Sequence, residues 1–239
     1  VVRTAYSGAA FDAILIGSGD RTNPNDMDDP NDADLVAVDN QFYMFRDEAT
    51  SPYFTAAPTT AECNATPPSV DFRCQLPLDP NDLYDVTSND VQSTDSTVQA
   101  TALAGLASAN GWRLDLQADG EKALARSITI NGKVFFTTFS PDSGTANVCE
   151  PVPGTGRLYV VDLYNASPEE DFDSNGNTER SWIIGAILPD TPSPHFGEDG
   201  VIRLLLPPGS GGGGEIISPF LTGGSVPQPR GTYWFREEY

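Results

Sequence analysis

The sequence predicts an all-β fold, mainly antiparallel, with long loops and one short helix, and three observations carry that prediction. Gly and Pro, 22 and 20 of the 239 residues, cut the chain into short pieces and leave little room for long helices. Strand-like runs recur between turn signals, above all around Asn131-Gly132, which sits between β-branched and aromatic runs as the strongest short-range mark of a hairpin. Aromatic residues make up 10% of the chain, with 12 Phe, enough to furnish a core.

Val1 opens directly in a strand-like stretch, without an initiator Met or a basic leader. That predicts a processed N-terminus or a piece of a longer polypeptide. Residues 11–19 (FDAILIGSG) read as an apolar strand ending in a Gly-rich turn, and 35–47 as a strand pair turning at Asp39-Asn40. Between them, seven Asp fall from Asp20 to Asp39 against one Arg, with Pro24 and Pro30 opposing regular structure. Such a run is a solvated loop or, on a sharper reading, a cation- or partner-binding loop, with Asp26, Asp28, Asp29, Asp32 and Asp34 as the candidate contacts. DPND at 29–32 and 79–82 reports turn chemistry and no repeat.

Residues 20–39 and 49–95 read as insertions in a single domain. The Ala-rich run at 96–109 predicts a helix, with Ser93, Thr94 or Asp95 as its cap and Asn110-Gly111 as its stop. Strands are then predicted at 111–116, 122–130, 133–139 and 156–166, with turns at Asp119-Gly120 and Asn131-Gly132. Four consecutive antiparallel strands resemble one blade of a β-propeller, and a meandering sandwich would give the same string. Beyond 181 come SWIIGAILP, VIRLLLPPG and TYWFREEY, with a flexible Gly-rich loop at 208–215.

The formal net charge of −21, from 13 bases against 34 acids, excludes a duplex-binding surface, which would need Lys and Arg to neutralise phosphates. No apolar run approaches the roughly 20 residues that span a bilayer as a helix.

One loop carries chemistry. In DFDSNGNTE (171–179), Asp171, Asp173 and Asn175 stand at positions 1, 3 and 5, Gly176 permits the turn at 6, Asn177 offers a carbonyl at 7, and Glu179 stands at 9. Hard oxygen ligands in that order suit Ca²⁺. The twelfth position is Trp182, so the bidentate Glu of an EF-hand is missing, and no long helix flanks the loop, which is placed at 169–180 between strands. A polar Asp- and Asn-rich turn is the competing reading.

Cys63 and Cys74 lie eleven apart in a Pro-rich stretch, where a disulfide would stiffen a loop without a core of its own; a bridge of this span is worth about 3 kcal/mol. Cys149 is left for a partner outside the chain or as a free thiol. Three Cys and one His match no zinc pattern. His195, the one histidine, has no nucleophile elbow to accompany it, and GSGD at 17–20 lacks the glycine spacing of a nucleotide site. Asn64-Ala65-Thr66 is a formal glycosylation acceptor.

Several phrases together resemble the C-terminal propeller of the PilY-type proteins, large adhesin and assembly factors at the tips of bacterial type IV pili. They are AILIGSGDR (13–21), NQFYMFRDE (40–48), GWRLDL (111–116), KVFFTTFSP (133–141), GTGRLYVVDL (154–163) after the Cys149 loop, and GTYWFREEY (231–239), in the family's order. The resemblance implies a secreted, calcium-binding, modified β-propeller in pilus biogenesis and surface adhesion. At roughly 40–50 residues per blade, this chain makes a partial propeller of about three to four blades that pairs with an N-terminal portion of the same polypeptide, where Cys149 could bond. The family's calcium loop is an EF-hand-like nonapeptide of Asp and Asn with a closing acid, onto which Asp171, Asp173, Asn175, Asn177 and Glu179 fall; the closing Glu179 stands where the family more usually has Asp.

The first functional expectation is therefore a non-enzymatic, extracellular adhesin or assembly module at the pilus tip. Its partners would be pilin or minor pilins and a host or abiotic surface. A quinoprotein-like propeller dehydrogenase and a structural subunit of an extracellular filament are the alternatives; the first would show a cofactor absorbance, the second would polymerise without other pilus proteins.

Overall fold

The computed structural model describes residues 1–6, 9–24, 40–47, 59–64, 80–141, 154–186, 188–196, 202–205 and 216–217. They form an all-β, mainly antiparallel structure of three sheets with one helix longer than a single turn. Among them no helix is long and apolar enough to cross a membrane.

The first sheet is built from β1 (Val2–Tyr6), β2 (Ala9–Gly17), β3 (Gln41–Asp47), β4 (Tyr84–Asp85) and β5 (Gly111–Asp115), in the order β1-β2-β3-β5-β4. All neighbours are antiparallel except β4 and β5. Gly111 opens β5 at φ +144°, and a Cβ there would meet the Met44 carbonyl of β3, so only glycine allows this close approach. A single turn of helix, α1 (Thr60–Cys63), precedes β4. The helix expected at 96–109 is α2 (Ser96–Ser108). Its cap is Asp95, whose Oδ1 accepts from the Thr97 and Val98 amides at 2.8 and 3.4 Å. α2 buries only Ala102 and Leu106.

The second sheet corrects the strand order read from the sequence. Residues 111–115 pair with β3 in the first sheet and are not the first strand of a local four-strand meander. Of the strand expected at 122–130, only β6 (Ile128–Ile130) is laddered, apart from a single bridge from Lys122 to Phe139. The four-strand unit is β6, β7 (Lys133–Pro141), β8 (Gly154–Asp162) and β9 (Ser181–Gly185), in that order. Residues 116–127 instead cross from one sheet to the other: the Ala123 amide donates to the Ser18 carbonyl at 3.0 Å while Lys122 bonds the Phe139 backbone. The turn at Asn131-Gly132 is as predicted, with both residues at positive φ. A third sheet holds β10 (Ser193–Phe196), β11 (Ile202–Leu205) and β12 (Ile216–Ile217).

Core packing explains why β7 is buried along nearly its whole length. Phe11, Phe42, Met44, Trp112 and Leu114 of the first sheet share one cluster with Val134, Phe136, Tyr159 and Val161 of the second. Phe135, Leu158 and Val160, on the opposite faces of β7 and β8, pack with Leu204 of the third. A strand covered on both faces cannot alternate apolar with polar, so the polar residues of β7 need internal partners. Thr137 Oγ1 donates to the Asp190 carbonyl at 3.1 Å, and Thr138 Oγ1 to Glu121.

Asp162 ends β8 by accepting from the Tyr164 and Asn165 amides at 2.8 and 3.0 Å. Burial holds its carboxyl above the ordinary carboxylate range, against the lowering effect of those two amides. The folded chain thus binds this proton more tightly than the unfolded chain, a stabilising contribution present at low pH and lost as pH rises through the folded pKa. Asp162→Asn keeps an acceptor for both amides and removes the charge. The gain in melting temperature over wild type should therefore be larger at pH 7 than at pH 4, and an equal difference at both would refute the burial argument.

Several expected features lie outside the described residues: Asp26, Asp28, Asp29, Asp32 and Asp34, Cys74 and Cys149, the side chain of Cys63, the Gly-rich loop at 208–215 and the closing phrase at 231–239.

Candidate metal centre

The loop that carries the acidic motif joins β8 to β9, neighbours in the second sheet. After the Asp162 turn, Pro168 bridges back to Val161, and Glu170 bridges to Glu179 with the Glu179 amide donating to the Glu170 carbonyl at 2.7 Å. Residues 171–178 are thereby pinched at their base. A stack of Phe172 on Trp182, ring centroids 5.9 Å apart, closes the same base from the apolar side. Trp182, which stands where an EF-hand would place its last ligand, is thus a packing residue, 42% exposed.

Inside the pinch, side-chain oxygens turn the backbone. Asp171 accepts from the Asn175 amide at 3.0 Å and the Gly176 amide at 2.8 Å; Asp173 accepts from the Asn175 amide at 3.1 Å; Glu179 accepts from the Phe172 amide at 3.1 Å. Ser174 and Gly176 take positive φ, 61° and 91°, which lets the chain curl around these groups. A Cβ at Gly176 would meet nothing within 4 Å, so its backbone conformation, and not space, selects glycine there.

Asp171, Asp173 and Glu179 converge: one carboxylate oxygen from each lies within 4.8 Å of the others, a group that could hold a metal ion. Metal–oxygen bonds of 2.3–2.6 Å set oxygens on opposite sides of a calcium-sized ion about 4.6–5.2 Å apart, so the spread fits a hard cation. Asn175 joins differently from the sequence reading. Its side-chain nitrogen, not its oxygen, faces the acids, donating to Asp173 at 2.9 Å and Glu179 at 3.4 Å. Its oxygen accepts from the Asn177 amide and side chain at 2.8 and 2.9 Å. Serving as an oxygen ligand would require Asn175 to turn its amide over, and Asn177 stands one layer behind.

Charge separates the ligand candidates from their neighbours. Lys133, at the Asn131-Gly132 hairpin, sits 3.6 Å from Glu169 and 3.4 Å from Glu170 and donates to the Glu169 carbonyl at 2.9 Å. Burial raises the Glu170 pKa and Lys133 opposes that. Among the described residues no Lys or Arg lies within 4 Å of a carboxylate oxygen of Asp171, Asp173 or Glu179, so their mutual repulsion is relieved by backbone amides and the Asn175 side chain alone.

Two neighbours escaped the sequence reading. Lys133 was hidden because its contact spans 36 residues. Arg180 left a signal, since it is the one base between 169 and 186 and follows the closing acid directly. It is half-buried, and desolvation lowers its pKa. By contrast, His195 lies exposed on β10, registered opposite Arg203 of β11, away from any described acidic group that could hold a metal. Asn64 sits in an exposed turn after α1.

No protein-family model matches the chain, and no curated protein matches it. Among solved structures it is similar to the C-terminal domain of Pseudomonas aeruginosa PilY1, at a TM-score of 0.46 and 11% sequence identity, over 87% of this chain and 42% of that one. The chain thus spans less than half the length of the structure it matches.

Proposed function

We propose that this chain is a calcium-binding β module acting outside the cell in type IV pilus assembly and surface attachment, without a catalytic role. The observation that carries the metal assignment is the convergence of Asp171, Asp173 and Glu179 without a basic partner among the described residues, beside two glutamates that do have one. All candidate ligands are oxygens, the donor set of a hard cation, and calcium accepts the irregular geometry that a short loop between strands provides. When bound, the ion neutralises the clustered carboxylates. The residues themselves supply the loop curvature and the pinched base. The pilus assignment rests on the six phrases of sequence described above, and pilin and minor pilins are its partners.

Calcium at about one hundred times its dissociation constant should stabilise the fold by about 2.7 kcal/mol, read as a rise in melting temperature. Asp171→Ala combined with Asp173→Ala should abolish that rise, and an undiminished shift in the double variant would sink the metal assignment. Placed at the native locus, the same double variant should reduce surface pili and attachment. Unchanged piliation with a lost calcium shift would leave the metal site standing and overturn the pilus role.

A further inference from the structure

We infer that Arg180 is the positioning residue of the metal loop and ties the order of that loop to the segment that leads into α2, an inference that rests on the metal reading above. Arg180 follows the closing ligand candidate Glu179, and its backbone is held in the second sheet, where its carbonyl accepts from the Val160 amide at 2.8 Å. Its side chain leaves that sheet altogether. Nε donates to the Ala166 carbonyl at 2.8 Å, Nη1 to the Thr87 carbonyl at 2.7 Å, and Nη2 to the Val86 carbonyl at 2.6 Å and to Asn89 Oδ1 at 3.3 Å.

This clasp has directional consequences. Ala166 belongs to the turn that starts the acidic loop, at φ 52°, while Val86 packs in the core shared by the first two sheets. One planar guanidinium therefore fixes the loop's entry, its exit and a segment some ninety residues away in sequence. Three of its acceptors are backbone carbonyls, so the geometry depends on the fork of donors that only Arg provides. With Arg180 in place, Glu179 is presented at its pinched position before any cation arrives. A site whose ligands are already placed binds more tightly than one that must order them on binding.

The coupling is reciprocal, since whatever order the segment 86–89 lends to the loop, an occupied loop lends to the segment. Among the described residues no carboxylate forms an ion pair with the clasp: Asp85, whose charge acts on Arg180 from farther off, is engaged by Arg113 at 2.8 Å, and Glu179 directs its carboxylate to the Phe172 amide and Asn175. Arg180 thus acts by placing backbone and not as a counter-ion to the ligands.

The test uses the full chain as wild type, Arg180→Lys and Asn89→Gly. The second variant removes one acceptor while keeping the left-handed backbone that Asn89 adopts at φ 59°. Calcium affinity is measured by calorimetry below the melting temperature of each variant, and amide exchange is followed with and without calcium. Arg180→Lys should weaken calcium binding about tenfold, the scale of losses seen when outer-shell partners are removed, and Asn89→Gly should weaken it less. In wild type, calcium should slow exchange at 86–92 as well as within 171–180. In Arg180→Lys the slowing at 86–92 should be lost while that within the loop persists at saturating calcium. Wild-type affinity in both variants, or calcium-independent exchange at 86–92 in the wild type, overturns the inference and leaves the metal site intact. No calcium binding by the wild type overturns both together.

Discussion

Replacing Trp112 by Ala should remove about 3–5 kcal/mol of stability, as large-to-small changes at fully buried aromatic positions do, a large share of the roughly 5–15 kcal/mol that holds a domain folded. Trp112 is 0% exposed and belongs to a column of rings that joins the first two sheets. Its ring lies 6.1 Å from Phe42, Phe42 stacks on Phe136 at 3.8 Å, and Phe136 stacks on Tyr159 at 4.7 Å. Its indole Nε1 also donates to the Leu163 carbonyl at 3.0 Å, so truncation opens a cavity and strands a buried acceptor. Trp112→Phe keeps most of the volume and loses only that bond, and should cost about 1–3 kcal/mol. Urea denaturation with an unchanged slope measures both. A loss below about 1.5 kcal/mol for Trp112→Ala would mean that the ring column is not the joint between the sheets.

The second large effect is expected at Glu121, which is 2% exposed. Its Oε1 accepts from Thr138 Oγ1 and from the Tyr159 hydroxyl at 2.9 Å, and its Oε2 from the Ala118 amide at 3.0 Å. Burial, with Glu121 beside it, pushes the Tyr159 phenol pKa far up, which keeps it a donor. Glu121→Ala would take away the carboxylate that accepts from two hydroxyls and an amide in a dry site, for a loss of about 3 kcal/mol or more at 1–3 kcal/mol per lost acceptor contact. Glu121→Gln can still accept at one oxygen, but its amide nitrogen then opposes the Ala118 N–H, for a loss of about 1–2 kcal/mol. Equal losses for the two variants would show that the side chain only fills space.

Much of the candidate site was legible beforehand. Asp171, Asp173 and Glu179 stand at positions 1, 3 and 9 of one short loop, and a loop of that length with Gly176 at its turn has few ways to curl other than around them. The orientation of Asn175 was not legible, because whether an amide presents its oxygen or its nitrogen depends on what faces it. Lys133 and Arg180 were missed for a different reason. Their partners are contributed by other turns of the fold, so that even Arg180, which stands out as the base next to the closing acid, does not name the carbonyls it holds.

By itself, the sequence determined the elements whose geometry is local. The Asn131-Gly132 turn, the Asp95 cap of α2 and the curl of the acidic loop each depend on residues within a few positions of one another. Tertiary structure alone decided which strands share a sheet: residues 111–115 went to β3 across the ring column, and 181–185 completed the second sheet in their place. It also decided that Glu121, just past a Gly-containing turn, is buried beneath Tyr159. Periodicity reports that a strand has an apolar face, but the choice of partner depends on which faces fit together and whether every buried polar group finds an acceptor or a donor, conditions that no short window of residues contains.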